Sequence, residues 1–97
     1  MTFSHPRPNF IESDEGYSVE VLGRTGLRYC EGGRTLFIDS EVLAGDAGIA
    51  IWMASIKRWD PPEDDNLVDD PTRRRIIVNV RRAFESKGWP LQVTDGQ

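Results

Sequence analysis

Hydrophobic and polar side chains alternate over Tyr17 to Leu22 (YSVEVL), a period of two that is typical of a strand with one buried face. The apolar side of this segment holds Tyr17, Val19 and Val21. Gly23 and Gly26 follow and indicate a turn, because glycine adopts turn conformations without strain. The pattern therefore predicts a half-buried strand that ends near residue 22.

A Gly32-Gly33 pair separates two β-prone runs in LRYCEGGRTLFID, which predicts a hairpin with a two-residue turn. The turn fixes a register in which Glu31 lies opposite Arg34. Each residue before Glu31 then pairs with the residue at the same distance after Arg34. Four apolar residues then share one face, the predicted core side: Leu27, Tyr29, Leu36 and Ile38. Cys30 and Phe37 lie on the other face.

The next strand, Ile49 to Ala54, is apolar on both faces, and such strands are usually central in a sheet. Trp52 falls on the same side as Ala50 and Ala54. The hydrophobic pattern changes phase at Ile56, which indicates a bulge near Ala54-Ser55. Pro61 and Pro62 lack amide donors, and we expect the strand to end before them.

One amphipathic helix follows, with Asp70 as the expected N-cap and Pro71 in the first helical position. Its apolar stripe comprises Ile76, Ile77, Val80, Ala83 and Phe84. Gly88 suits the helix C-terminus, where a positive φ is common. A short strand from Trp89 to Thr94 completes the pattern, and Pro90 places it at a strand start or a sheet edge.

These elements predict an α+β fold: an antiparallel β-sheet of about five strands with one long amphipathic helix packed on one face, in the order β-β-β-β-α-β. Residues 17–97 form the predicted single domain, and residues 1–16 a flexible N-terminal tail. The helix can cover only one face of the sheet. Unless the tail folds back, Cys30, Phe37 and Trp52 remain on an exposed apolar face, which is typical of a partner site.

Composition restricts the classes of partner. The net charge of the 97 residues is −4, which argues against nucleic acid, since phosphate binding favours a basic surface. No apolar run approaches the roughly 20 residues that span a membrane. The first ten residues lack a signal-peptide core, and the single cysteine, Cys30, allows no internal disulfide, so we expect a cytoplasmic protein.

Charge is unevenly distributed near the helix. Residues 60–70 hold six acids and no base, whereas residues 71–97 hold six bases and two acids. Arg73, Arg74 and Arg75 are the strongest candidates for a nucleic-acid contact, but the adjacent acids reduce their field, and a salt-bridged helix face is the favoured interpretation.

No catalytic, metal or cofactor site is predicted. The only histidine is His5, in the expected tail, so a cysteine or serine nucleophile lacks the usual base. The acidic run DPPEDD (60–65) lacks the pattern of a calcium loop. Asp39, Glu41 and Asp46 could supply paired carboxylates, but no cleft signature accompanies them and they are interpreted as loop residues. A small hydrolase or isomerase would require a pocket that joins Tyr17 or Tyr29 to a carboxylate.

Three blocks of the chain resemble a known family: YCEGGRTLFIDSEVLAG (29–45), IAIWMASIKRWDPP (49–62) and RRRIIVNVRRAFESKGWPLQV (73–93). The family is the bacterial polymorphic-toxin immunity proteins of the type called immunity protein 74. The resemblance implies a non-enzymatic, cytoplasmic protein whose partner is a cognate toxin domain that it binds and blocks.

The residues themselves suggest where such a partner would bind. An acidic surface attracts a basic partner, and tryptophan is frequent among interface anchors. The predicted contact residues are Trp59, Asp60, Glu63, Asp64 and Asp65 in one region and Phe37 and Trp52 in a second. Trp59 has an alternative role in the helix–sheet core. A homodimeric interaction module, with two copies pairing through the second sheet face, is the alternative to toxin binding.

Overall fold

The computed structural model describes residues 2–23, 25–43, 48–62 and 67–94. Within these ranges one helix, α1 (Asp70–Ser86), packs on a single sheet of seven strands in the order β1-β2-β3-β4-β5-β6-β7. The strands are β1 (Phe3–Arg7), β2 (Phe10–Ser13), β3 (Tyr17–Val21), β4 (Gly26–Glu31), β5 (Arg34–Val42), β6 (Ile49–Trp52) and β7 (Leu91–Thr94). The predicted α+β class is confirmed, but the number of strands is two higher than expected.

The two additional strands, β1 and β2, lie in the segment for which a tail was expected. β2 pairs with β3, with Ile11 opposite Val19, and β1 pairs with the outer edge of β2. The inward positions of β2 are Ile11 and Ser13, which are both buried. Because one of the two inward residues is a serine, this strand carries almost no hydrophobic alternation in its sequence.

The hairpin of β4 and β5 has the predicted register, from Glu31 opposite Arg34 to Leu27 opposite Ile38. Gly32 and Gly33 form the turn with φ of 58° and 84°, values that side chains rarely allow. The four residues of the predicted core face have no exposed surface: Leu27, Tyr29, Leu36 and Ile38. Turn chemistry and alternation were sufficient to predict this part of the sheet.

The prediction of a fully antiparallel sheet was wrong for the last pair of strands, because β7 runs parallel to β6, with Ile49 opposite Leu91. The chain leaves the end of β6, passes through α1 and returns to the start of β6, which makes the connection a crossover. β6 is therefore an interior strand, flanked by β5 and β7, although it lies next to the edge of the sheet and not at its centre.

β6 ends earlier than expected, at Trp52, and a 3₁₀ helix (Met53–Ser55) occupies the position of the predicted bulge. The Ser55 hydroxyl donates to the carbonyl of Trp52 at 2.7 Å and accepts from the amide of Asp39 at 3.0 Å. This serine satisfies backbone groups of two strands, and so the chain can turn away from the sheet there.

α1 begins one residue away from the predicted cap. Asp69 is the N-cap, and its carboxylate accepts a hydrogen bond from the amide of Thr72 at 3.0 Å, whereas Asp70 is already helical. The predicted stripe is confirmed, since Ile76, Val80, Ala83 and Phe84 are buried. Ile77 is partly buried and packs against the same cluster.

The core lies between α1 and one face of the sheet. Its buried members are Ile11, Tyr17, Val19, Leu27, Tyr29, Leu36, Ile38, Ile51, Ile56, Trp59, Val68, Ile76, Val80, Ala83 and Phe84. Within the described ranges, no helix has the length and apolar character that would span a membrane.

Candidate binding face

The face of the sheet that points away from α1, called the open face below, consists of the residues that alternate with the core positions. Phe37 is 46% exposed there, on the interior strand β5, although it is a large apolar side chain. On β6, Trp52 is half-buried and Ala50 is buried. Since α1 is the only α-helix of the described chain and lies on the opposite face, no helix covers these residues.

The β1–β4 half of the open face is electrostatically balanced. Glu20 on β3 forms ion pairs with Arg7 at 3.7 Å and with Arg28 at 3.6 Å. The Arg7 guanidinium also lies 4.4 Å from the ring centre of Phe10. Glu20 is therefore satisfied by two cations of the same chain, whereas the exposed Glu12 on β2 has no ion pair among the described residues.

The β5–β6 half contains Asp39 and Glu41, which alternate with the buried Ile38 and Ser40 and are both exposed. Within the described ranges, no lysine or arginine lies within ion-pair distance of either carboxylate. Asp39, Glu41 and Trp52 line a cavity of about 370 Å³ on this face, together with Thr25 and Ser40.

Two small residues shape this half of the face. Gly26 is paired with Asp39, and a Cβ at Gly26 would overlap the ring of Phe37. The phenyl ring therefore lies directly over the glycine backbone. Ala50 is paired with Glu41 and provides little side-chain volume between Glu41 and Trp52. The cavity is consequently shallow, with Trp52 as its aromatic wall and the carboxylates of Asp39 and Glu41 in its lining.

The predicted contact residues are not all on this face. Phe37 and Trp52 both lie on it. Trp59 is 2% exposed and packs in the core, so it presents almost no area to a partner. Asp60 is half-buried, and its carboxylate accepts from the Thr35 hydroxyl at 2.9 Å. Glu63, Asp64 and Asp65 lie outside the described residues.

Trp59 fixes the segment that follows the 3₁₀ helix. The Arg34 guanidinium lies 4.2 Å from its ring centre, and its ring is 6.5 Å from that of Tyr29. The amide of Asp60 donates to the carbonyl of Thr35 at 2.7 Å. Residues 59 and 60 therefore lie along the part of β5 that β6 does not pair with, and they cover its free backbone groups near Thr35.

Arg73 and Arg75 are engaged within the chain. The Arg73 side chain donates to the carbonyls of Ile56 at 2.9 Å and Val68 at 3.2 Å and pairs with Asp70. Arg75 forms an ion pair with Glu31 on the hairpin. Arg73 fixes the start of α1 to the segment that precedes it, and Arg75 fixes α1 to the β4–β5 hairpin, which agrees with the salt-bridged interpretation of this basic run.

The Tyr29 hydroxyl donates to Glu31 at 2.6 Å and accepts from the Asn79 amide at 2.9 Å. Burial and the hydrogen bond to Glu31 both raise the pKa of Tyr29 above its usual range. A tyrosine–carboxylate pair therefore exists, but Tyr29 has no exposed surface that a substrate could contact. The arrangement stabilises the contact between α1 and the hairpin.

Asp39 and Glu41 were identified in the sequence but interpreted as loop residues. β5 continues to Val42, and this extension places both carboxylates on the open face at a spacing of two residues. Alternation over Leu36, Ile38 and Ser40 is the signal that would have extended the strand, but the inward serine weakens it. Among the described residues, no three His, Cys, Asp or Glu side chains are arranged to hold a metal ion.

These features define a small α+β protein with one helix-covered sheet face and one open face that carries aromatic and acidic side chains. The family model of Immunity protein 74 matches residues 18–94, and the chain belongs to this family. The match begins within β3, so β1 and β2 lie outside it. No curated protein and no solved structure matches the chain.

Proposed function

We propose that the protein binds a cognate bacterial toxin domain and neutralises it by occlusion, without catalysis, in the cytoplasm of the cell that makes it. Membership of the Immunity protein 74 family is the observation that carries this proposal. The open face supports it, because an uncovered sheet face with an exposed Phe37 is suited to protein binding.

The contact region that we propose is the β5–β6 half of the open face, centred on Phe37 and Trp52. Asp60 lies on the adjacent edge of β5 through its bonds to Thr35, and the acidic segment Glu63, Asp64 and Asp65 follows it in sequence. Trp59 lies in the core and holds the adjoining segment in place. It is not a contact residue in the proposal.

Co-expression provides the test. The toxin domain encoded beside the gene for this chain is produced with and without the protein in a sensitive bacterial strain. We expect growth to stop with the toxin alone and to recover with the protein. Phe37→Asp places a charge at the centre of the face and should abolish recovery, whereas Val78→Asp, at an exposed position on the outer side of α1, should not. Growth arrest that the protein does not relieve would refute the proposal.

A homodimeric interaction module is the second candidate, since the exposed Phe37 would also suit a face that pairs with a copy of itself. Sedimentation equilibrium over a hundredfold range of concentration distinguishes the two. Toxin neutralisation predicts a free protein that stays monomeric, whereas a self-paired face predicts a dimer that Phe37→Asp dissociates.

A further inference from the structure

We propose that the β5–β6 half of the open face binds an arginine or lysine side chain on a basic surface of the toxin domain, with Asp39 and Glu41 as the charged contacts and Trp52 as the aromatic contact. This inference rests on the proposed function and names the chemistry of its partner. It makes specific predictions for three side chains on two strands.

The sheet register brings the three side chains together. Ser40 pairs with Ile51 and Glu41 pairs with Ala50, so Asp39 and Trp52 are neighbours across the two strands. All three side chains line the same cavity of about 370 Å³. Ala50 lies beside Glu41 and adds little side-chain volume between Glu41 and Trp52, whereas the ring of Phe37 covers Gly26 next to Asp39.

The local structure holds the site in place before a partner binds. Ser55 bonds to the amide of Asp39 and to the carbonyl of Trp52 through a single hydroxyl. The backbones of the acidic and aromatic contacts are thus fixed to each other at the end of β6. Preorganised contacts lose less conformational entropy on binding, and they therefore contribute more of their interaction energy to affinity.

A basic side chain satisfies all of these groups. A guanidinium donates paired hydrogen bonds to carboxylates and stacks on an indole ring, and an ammonium ion makes the corresponding point-charge contacts. The chain itself uses this chemistry on its core side, where Arg34 lies over Trp59 at 4.2 Å. An acidic or neutral partner would leave two carboxylates facing the interface without a counter-charge.

The two halves of the open face differ in how their acids are arranged. In the β1–β4 half Glu20 has two arginine partners and Glu12 is a single exposed acid, whereas Asp39 and Glu41 lie two residues apart, line one cavity with Trp52 and have no ion-pair partner among the described residues. The outer side of α1 carries the exposed Arg74, Arg81 and Arg82. A basic partner is therefore attracted to one face of the molecule and repelled by the opposite one, which orients its approach.

The test compares two variants that remove negative charge from the same face. Asp39→Asn/Glu41→Gln removes both proposed contacts, and Glu20→Gln removes an acid that is already paired. Binding of each variant to the toxin domain encoded beside the gene is measured by calorimetry at low and high salt. We expect the double variant to bind roughly tenfold to a thousandfold more weakly at low salt, with a reduced salt dependence. Glu20→Gln should bind within about threefold of the unmodified protein.

Trp52→Leu tests the aromatic contact, with circular dichroism to confirm that the variant is folded. We expect it to weaken binding by roughly threefold to thirtyfold, the range of a partly desolvated cation–π contact. If the unmodified protein binds the toxin and both the double variant and Trp52→Leu bind it with unchanged affinity, the inference is overturned and the proposed function is left intact. Toxin that the unmodified protein does not bind overturns both.

Discussion

Three aromatic residues that the sequence singled out, Phe37, Trp52 and Trp59, have different environments in the fold. Trp59 is buried between the hairpin and the segment that precedes α1, where Arg34 stacks on it. Trp52 and Phe37 lie on the open face, one half-buried and the other 46% exposed. Sequence could not separate these roles, because the burial of Trp59 depends on contacts with residues about 25 and 30 positions earlier.

Removing the side chains of Trp59 and Phe37 should have unequal effects on the stability of the protein. Trp59→Ala removes a core side chain and should lower the free energy of unfolding by about 3–5 kcal/mol. Phe37→Ala removes an exposed ring and should lower it by less than about 1 kcal/mol. Urea denaturation monitored by far-ultraviolet circular dichroism measures both. Equal losses would show that Trp59 is not part of the core.

The junction between β6 and β7 depends on a residue without a side chain. Gly48 has a φ of 91°, and a Cβ on it would overlap the carbonyl oxygen of Pro90. That oxygen accepts a hydrogen bond from the amide of Ile49 at 3.2 Å. The parallel pairing of β7 with β6 therefore begins where the two backbones come closest, at a position that sequence patterns do not reveal.

Two alanine substitutions separate conformation from close contact at this junction. Gly88→Ala, where φ is 71° and no atom lies near the added Cβ, should lower the free energy of unfolding by roughly 1–2 kcal/mol. Gly48→Ala carries the same conformational cost and also displaces the backbone of Pro90, so its loss should be larger. Thermal unfolding compares the two. A smaller loss for Gly48→Ala would contradict the close approach of β6 and β7.

The start of α1 provides a prediction for pH. The hydrogen bonds from Thr72 hold the pKa of the Asp69 carboxyl below its usual range. The charged cap is favoured in the folded state, so its contribution is present above the unfolded pKa of about 4 and is lost as the pH falls through the lower folded value.

Asp69→Ala should therefore destabilise the protein at pH 7, and its deficit relative to the unmodified protein should shrink below about pH 4. Asp69→Asn keeps a neutral cap that does not titrate, which makes it the matched control. Urea midpoints between pH 7 and pH 2.5 give the comparison. A deficit of Asp69→Ala that is constant over this range would show that the carboxylate does not cap α1.

Across the whole molecule, the sequence predicted the parts whose determinants are local. The Gly32-Gly33 turn was sufficient to predict the hairpin register. The spacing of apolar residues from Ile76 to Phe84 was sufficient to predict the buried side of α1. The parallel pairing of β7 was missed because it depends on contacts that are distant in sequence. The strands β1 and β2 pair with their sequence neighbours, but they were missed because the inward Ser13 removes the hydrophobic alternation.

The residues of the candidate site also divide into those that local sequence predicts and those that depend on the pairing of strands. Phe37 was placed on the second face of the sheet by alternation alone, and Trp52 by its position in an apolar strand. Asp39 and Glu41 could join them only once β5 extended to Val42 and β6 paired beside it. The molecule is thus asymmetric, with an acidic and aromatic depression on the open face and exposed arginines on the outer side of α1.

The most direct test of the central claim, that this open face neutralises a toxin, is a titration of toxin activity. Increasing amounts of purified protein are added to the purified toxin domain encoded beside its gene, and the remaining activity is measured. The account predicts a loss of activity that is complete near a one-to-one ratio and that Phe37→Asp prevents. Full activity in the presence of excess unmodified protein, or equal inhibition by folded Phe37→Asp, would contradict it.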